Sequence, residues 1–214
     1  MILYSYWRSS ASFRVRMALE LKKLDFEIRP VHLLRDGGQQ FAPDYQKLNA
    51  QQLVPTLVHG DLVLGQSLAI IEYLDEAFPH TPLLPESAAG RAWARMLAQV
   101  IACDVHPLNN LRVLGYLVEE LGASESDRLA WYRRWSDRGL ASVERLLRQR
   151  RRQTPFCHGE EPGLADCCLL PQVYNARRFD CRLEKFECIL GICARLEALK
   201  PVQAAAPENQ ADAE

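Results

Sequence analysis

Hydrophobic and polar positions change rhythm about a third of the way along the chain. In the first eighty residues, short strand-like runs alternate with helix-like ones. Ile2, Tyr4 and Tyr6 share one parity and Leu3 and Trp7 the other, which predicts a strand buried on both faces. Ser9 to Ser12 read as a helix start, followed by an apolar stripe of Val15 and Leu19 that Met17, Ala18 and Leu21 widen. Phe26 to Leu33 predicts a second strand, Arg35-Asp36-Gly37-Gly38 a loop, and Phe41 to Leu48 a short helical segment. Val54 to His59 predicts a third strand that opens on a proline, and Gly60-Asp61 a hairpin turn into a fourth strand, Leu62 to Leu64. Leu68, Ile71, Leu74 and Phe78 are spaced to line one face of a helix over Ser67 to Phe78.

Beyond Pro79 the strand signal disappears. His80 to Pro85 is a proline-punctuated linker. Arg91 to Leu121 has helical period, with Pro107 placed to bend or break it. Asp127 to Gln149 carries a core-facing stripe that includes Tyr132, Leu140, Val143 and Leu147. Leu164 to Phe179 predicts a helix interrupted at Pro171, and Phe186 to Leu199 one or two short helices. The Ala-, Pro- and polar-rich stretch Pro201 to Glu214 reads as a disordered tail. The expected organisation is therefore an α/β domain over 1–80, a linker over 81–87, an all-helical domain over 88–200 and a tail over 201–214. A domain of about eighty residues buries too little surface to be more than marginally stable alone.

Composition narrows the function. The 214 residues carry 26 Lys and Arg against 27 Asp and Glu, a net charge of −1. A dedicated nucleic-acid binder carries a basic excess that is missing here. No apolar run approaches the roughly 18–20 residues of a membrane span, and Met1 to Arg8 lacks the basic and apolar regions of a secretory signal. The seven cysteines are odd in number, all lie at or after Cys103, and none forms a C-x-x-C pair. They predict reduced thiols in a cytoplasmic protein. No histidine has metal-ligand spacing, so no metal is expected.

Three segments of the first domain carry candidate chemistry. In Trp7-Arg8-Ser9-Ser10-Ala11-Ser12, hydroxyls stand where a strand hands over to a helix. A helix N-terminus stabilises anions and lowers the pKa of a thiol held there; Ser9, Ser10 or Ser12 also fits a simple helix cap. In Gln51-Gln52-Leu53-Val54-Pro55, a cis proline would expose the preceding backbone to an extended ligand, whereas a trans proline would merely open a strand. Gln66 and Ser67 begin a helix, with Ser67 as apparent N-cap, and suit either a carboxylate site or ordinary capping. In the second domain, Cys103 to Arg112 is unusually polar, and Asp104, His106, Asn110 and Arg112 would line a cleft. Arg177-Arg178 closes another helix, where arginine is favoured in any case. The run Arg148-Gln149-Arg150-Arg151-Arg152 reads as a solvated helix end facing Glu160-Glu161.

Taken in order, these segments resemble the glutathione transferases, and within them the zeta class. The matching words are Tyr4-Ser5-Tyr6-Trp7-Arg8-Ser9-Ser10, Arg14 to Leu19, Leu53-Val54-Pro55-Thr56-Leu57, Gln66 to Leu74, His106 to Leu114, and Leu164-Ala165-Asp166 with Leu170 to Val173. The likeness spans about residues 1 to 180, and the Arg-Ser-Ser and His-Pro-Leu-Asn-Asn words are its most specific parts. It implies a thioredoxin-like N-terminal domain followed by an all-helical domain, with glutathione as cofactor and a homodimer as the assembly. By the same resemblance Ser9, with Ser10 beside it, stabilises the glutathione thiolate. Val54 pairs its backbone with the cysteinyl part beside a cis Pro55, and Gln66 and Ser67 hold the γ-glutamyl carboxylate. Gln52, His106 and Asn110 complete the cofactor set, and Arg8, Arg112 and Arg178 bind substrate carboxylates, Arg8 also serving catalysis. The implied reaction is a cis–trans isomerisation of a small unsaturated diacid, maleylacetoacetate first and maleylpyruvate as alternative. Transferase action on α-haloacids and a non-catalytic binding module are the remaining readings. Three features depart from the class pattern. Ala11 stands where it usually has cysteine, Gly163 replaces a hydroxyl cap three residues before Asp166, and Glu184-Lys185-Phe186-Glu187 replaces a Thr-Pro-Tyr-Pro-like turn.

Overall fold

The structure, a computed structural model, describes residues 1–150 and 153–214. The chain divides into two compact units, Met1–Leu83 together with Glu197–Glu214, and Leu84–Leu196. The first contains β1 (Ile2–Ser5), α1 (Ser10–Leu21), β2 (Glu27–Pro30), α2 (Pro43–Leu48), β3 (Thr56–His59), β4 (Leu62–Gly65) and α3 (Ser67–Ala77). The second contains α4 (Ala88–Gln99), α5 (Leu111–Glu119), α6 (Glu125–Arg148), α7 (Leu164–Arg178) and nearly all of α8 (Glu187–Glu197), after which α9 (Lys200–Ala205) returns to the first.

Four strands form one sheet in the order β2-β1-β3-β4. The β1–β2 pair is parallel and closed by α1 as a crossover, and β3 runs antiparallel to both β1 and β4. This is the thioredoxin-like arrangement expected. The β3–β4 turn is Gly60-Asp61, with Gly60 at φ +60°, in the first central position where a two-residue hairpin accepts a left-handed glycine. Leu3, Val15, Leu19, Leu57, Ile70, Ile71 and Leu74 are all at most 1% exposed and make the core between sheet and helices. The strands are shorter than the pattern suggests: β1 ends at Ser5, and the second expected strand shrinks from Phe26–Leu33 to Glu27–Pro30. Tyr6 and Trp7 leave the sheet and pack with Val31, Tyr45 and Val54 in a separate cluster.

Ser67 is not the cap of α3. Gln66 holds that position with φ +66° and Ser67 is the first helical residue. The stretch 201–214, expected as a disordered tail, contains α9 and a 3-10 turn over Pro207–Asn209. Small residues are what let it pack: Val202, Ala205 and Pro207 are buried, and α9 lies on α1. The Gln210 amide donates to the carbonyls of Ala204 and Ala206 at 2.9 Å each, so polar side chains satisfy the helix end that composition alone left unexplained.

The second unit is all helical, as expected, but its first helical stretch breaks in a specific way. α4 runs into a π-helical turn over Val100–Val105, then a 3-10 turn over Pro107–Asn109, before α5 begins behind its Asn110 cap. The His106 N–H donates to the carbonyl of Ile101 at 2.8 Å, the wide closure that marks the turn. α6 passes this turn at Gly139, where an added Cβ would overlap Val105 Cγ2. α7 runs unbroken through Pro171, because Leu169, Leu170, Pro171, Gln172 and Val173 are all buried and their packing holds the segment that proline would otherwise break. Its first turn is fixed by Asp166, 1% exposed, whose carboxylate accepts from the N–H groups of Gly163 and Cys157 at 2.9 Å each. Burial raises the Asp166 pKa, against hydrogen bonds from Cys157 and Gly163 that lower it.

Of the basic run ending α6, the described arginines have partners of their own. Arg148 pairs with Glu144 at 2.7 Å and Glu187 at 3.3 Å. Arg150 donates to Thr154 Oγ1 and to the Phe156 carbonyl, both at 2.7 Å; Arg151 and Arg152 lie outside the described residues. Glu144 also takes the N–H groups of Cys188 at 3.1 Å and Ile189 at 3.0 Å, joining α6 to the start of α8. Burial pushes its pKa up, but the bonds from Arg148, Ile189 and Cys188 outweigh that and hold it below its ordinary value of 4.5.

Two predictions follow from these contacts. A Gly139→Ala change gains helix propensity but forces a methyl onto Val105. It is expected to lower stability by about 1–3 kcal/mol, and the double change with Val105→Ala to recover part of the loss, as read by thermal unfolding. Glu144→Gln is expected to cost roughly 1–3 kcal/mol at neutral pH. Because the folded pKa is lowered, the carboxylate's contribution is complete above its ordinary value and disappears as pH falls through the folded value. The gap between wild type and variant in denaturant midpoint should therefore narrow on acidification below about 4.5 and stay constant above it.

Candidate active site

The β1–α1 connection is a tight turn in which the Ser9 N–H donates to the Tyr6 carbonyl at 3.0 Å. Ser9 is half-buried and caps α1, its Oγ accepting from the Ser12 N–H at 3.2 Å. A hydroxyl that accepts through its oxygen keeps its own hydrogen to donate, so capping and anion stabilisation are compatible in one side chain. Ser10 is buried as the first residue of α1, and Ala11 follows it, half-buried. Arg8 donates to Tyr6 Oη at 3.2 Å, and its guanidinium lies 5.2 Å from the Trp7 ring. Two neighbouring aromatic rings thus hold a half-exposed cation next to Ser9.

The Val54–Pro55 bond is cis. The β1–β3 ladder stops at Tyr4 and Thr56, so the Val54 peptide groups stand just beyond it. Residues absent from the sequence argument hold this bend. Tyr45 Oη donates to the Leu53 carbonyl at 2.6 Å and lies 2.9 Å from Thr56 Oγ1. Asn49 Nδ2 reaches the same two acceptors at 2.9 Å each. Burial raises the Tyr45 pKa, opposed by its bonds to Thr56 and Asn49, so the phenol stays a neutral donor. Val54 also belongs to the cluster with Tyr6 and Trp7, which seats the bend against the Ser9 turn.

Gln66 at the start of α3 and Gln52 in the loop before the Val54 bend have φ values of +66° and +57°. Left-handed non-glycine residues are uncommon and gather at functional sites. Gln66 Nε2 donates to Gln51 Oε1 at 2.8 Å. Ser67 is 5% exposed and its Oγ accepts from the Arg14 guanidinium at 3.2 Å, itself only 2% exposed. A buried cation beneath the positive end of a helix makes this a second anion-favouring position. Sequence analysis assigns no role to Arg14, Tyr45, Asn49 or Gln51, because each acts by holding another residue. The one available signal was that Arg14 sits on the apolar side of α1.

The remaining candidates lie in the second unit. His106 ends the π turn, half-buried. Asn110 caps α5 by accepting from the Arg112 N–H at 3.2 Å, and the Arg112 side chain is exposed. Asn109 anchors this turn on α6 through Ser136 Oγ at 3.1 Å, and Trp131 Nε1 donates to the Leu108 carbonyl at 2.8 Å. Arg178 at the end of α7 is exposed, donates to Asn175 at 2.9 Å and lies 5.8 Å from the Phe179 ring. Phe179 stacks on Tyr132 of α6 with centroids 3.9 Å apart. Arg8, Ser9, Ser10, Gln52, Val54, Pro55, Gln66 and Ser67 therefore share the first unit, and His106, Asn110, Arg112 and Arg178 share the second.

The chain's own residues fit an extended thiol peptide with a free carboxylate. Two helix N-termini favour negative charge, a hydroxyl faces one of them, and a strand-like backbone bend lies beside it. Residues 1–76 match the family model described as glutathione S-transferase, N-terminal domain. The chain is 49% identical over 213 residues to a probable maleylacetoacetate isomerase of Vibrio cholerae, covering 100% of this chain and 98% of that protein. Among solved structures it resembles the holo structure of a maleyl pyruvate isomerase described as a bacterial zeta-class glutathione S-transferase. That likeness has a TM-score of 0.97 and 42% identity and covers all of both chains. It also resembles the maleylacetoacetate isomerase of Methylobacterium extorquens AM1 with bound malonate and glutathione, at TM-score 0.95, 38% identity and full coverage of both chains.

Proposed function

This chain belongs to the zeta class of the glutathione transferases, and from that premise we propose how it works as a glutathione-dependent cis–trans isomerase of maleylacetoacetate. The observation that carries the reading is Ser9 at the N-cap of α1, with the Arg8 cation beside it. Bound glutathione supplies a thiolate whose reversible addition to the conjugated double bond permits rotation.

What the chain contributes is charge placement. Ser9 donates its hydroxyl hydrogen to the thiolate, and the first N–H groups of α1, with Ser10 among them, add the positive end of the helix. The Val54 backbone beside cis Pro55 holds the cysteinyl part. Gln66 and Ser67, backed by Gln51 and Arg14, hold the γ-glutamyl carboxylate. Gln52, His106 and Asn110 serve the rest of the cofactor. Arg8 stabilises the negative charge that develops on the substrate's carbonyl oxygen, and Arg112 and Arg178 grip its carboxylates, where a planar guanidinium can bind in bidentate fashion.

Maleylpyruvate is the second reading, favoured by the likeness to a maleyl pyruvate isomerase over the whole chain. The assembly is a homodimer, supported by Leu62 and Val63, 38% and 41% exposed on the outer strand β4. No helix of the described residues is long and apolar enough to cross a membrane. A cytoplasmic location is supported by all seven cysteines being thiols rather than disulfides.

Turnover of maleylacetoacetate and maleylpyruvate side by side, with and without glutathione, tests the reading. Faster glutathione-dependent isomerisation of the first is expected; the reverse preference moves the assignment to maleylpyruvate, and no turnover of either overturns it. Ser9→Ala removes one hydrogen bond to a charged group and should lower kcat/KM roughly 10–100-fold. It also removes the α1 cap, at a cost of about 1 kcal/mol in unfolding free energy. Full activity in that variant would sink the role given to Ser9.

A further inference from the structure

The turn that presents Arg8 and Ser9 is held from beneath and from outside by groups that have no part in the site. Arg16 of α1 is 1% exposed. Its guanidinium donates to the Trp7 carbonyl at 2.9 Å, to Ser5 Oγ at 3.0 Å and to the Tyr6 carbonyl at 3.4 Å. The Tyr6 carbonyl is the one that receives the Ser9 N–H. Arg16 Nε donates to the Ala205 carbonyl at 2.9 Å, which ties the same guanidinium to the end of α9. From the other side, the Trp7 N–H donates to Asp212 Oδ2 at 3.1 Å.

Asp212 is itself fixed between two anchors. Before it, Gln210 is tied to the end of α9. After it, Glu214 pairs with Arg35 and lies 3.4 Å from His32 Nε2. His32 Nδ1 accepts from the N–H groups of Leu34 and Arg35, which fixes the ring beside that carboxylate. The N–H of Trp7 and the carbonyls of Tyr6 and Trp7 are thereby all engaged by Arg16, Asp212 or Ser9 itself.

We propose that Arg16 and Asp212 are positioning residues for the thiolate site, clamping the Tyr6–Ser9 turn so that the Ser9 hydroxyl and the Arg8 cation are set before glutathione arrives. The proposal rests on the reading of Ser9 as thiolate donor. It also makes the 206–214 segment a support of the site.

Arg16 is too deeply buried for a clean variant, so the test uses the half-buried Asp212. Asp212→Ala deletes the acceptor. Asp212→Asn removes only the charge and keeps an oxygen that can accept from Trp7. Three quantities are read: deuterium uptake of the 6–9 peptide without glutathione, the pKa of bound glutathione from thiolate ultraviolet absorbance, and the unfolding temperature. In Asp212→Ala, faster exchange of the turn and a roughly two- to tenfold smaller thiolate fraction at neutral pH are expected, with Asp212→Asn close to wild type. If the carboxylate acted only through its field, both variants would enlarge the thiolate fraction, and positioning would be overturned. Unchanged exchange, or a lowered unfolding temperature with unchanged thiol pKa, overturns it too. Ser9→Ala measured alongside separates the two levels. If it shifts the thiol pKa while Asp212→Ala does not, only the clamp fails; if it does not, the Ser9 reading fails and the clamp's link to the thiol fails with it.

Discussion

A buried guanidinium must find acceptors inside the protein, and Arg16 organises the first unit around that need. Removing an unpaired cation from water costs several kcal/mol, and here carbonyls of the β1–α1 turn, a β1 hydroxyl and the end of α9 supply the compensation. Three acceptors are the consecutive residues Ser5, Tyr6 and Trp7, and the fourth, Ala205, comes from far along the chain. The turn, the strand end and the returning α9 are consequently fixed relative to one another by a single side chain. A cation at the C-terminal end of a helix is also favoured by the helix dipole. The short α9 would be a poor helix in isolation and is held by this contact and by its packing on α1.

The same logic of support at one remove runs through the site. Arg14 sits beneath Ser67, Gln51 beside Gln66, and Tyr45 with Asn49 around the Val54 bend. In each case a hydrogen-bonded polar neighbour fixes the orientation of a group we propose to face glutathione. Fixed dipoles of this kind stabilise charge without having to reorient when it appears. Two anion-favouring helix ends and an exposed backbone bend are therefore held ready by the folded chain itself.

Much of this was legible in the sequence. Alternation and turn chemistry were enough for the four strands, the Gly60-Asp61 hairpin and the first three helices, and motif words led to Ser9, Pro55 and Gln66. Strand ends were placed too far out because Tyr6, Trp7 and Val31 are apolar for a reason other than the sheet: they form a second cluster under the turn. Ser67 looked like a cap because serine favours that position, but the left-handed Gln66 occupies it. Pro171 looked like a break because propensity is a local argument, and the burial of its helix is not. The 201–214 stretch looked disordered because its alanines carry little apolar area, yet small side chains are what allow α9 to approach α1. The supporting residues were unreadable for a general reason. A hydrogen bond between residues 53 or 189 positions apart leaves no periodic trace.

The contact between Gly139 and the π turn has a meaning for how this sequence can change over time. A π turn holds one residue more than the helix around it needs, and that surplus lifts Val105 toward α6. The glycine is the hollow that receives it. Neither position can drift alone: a side chain at 139 asks for a smaller residue at 105, and relaxation of the π turn into regular helix would leave the hollow unfilled. The two positions constrain each other, and the placement of His106 immediately beyond depends on both.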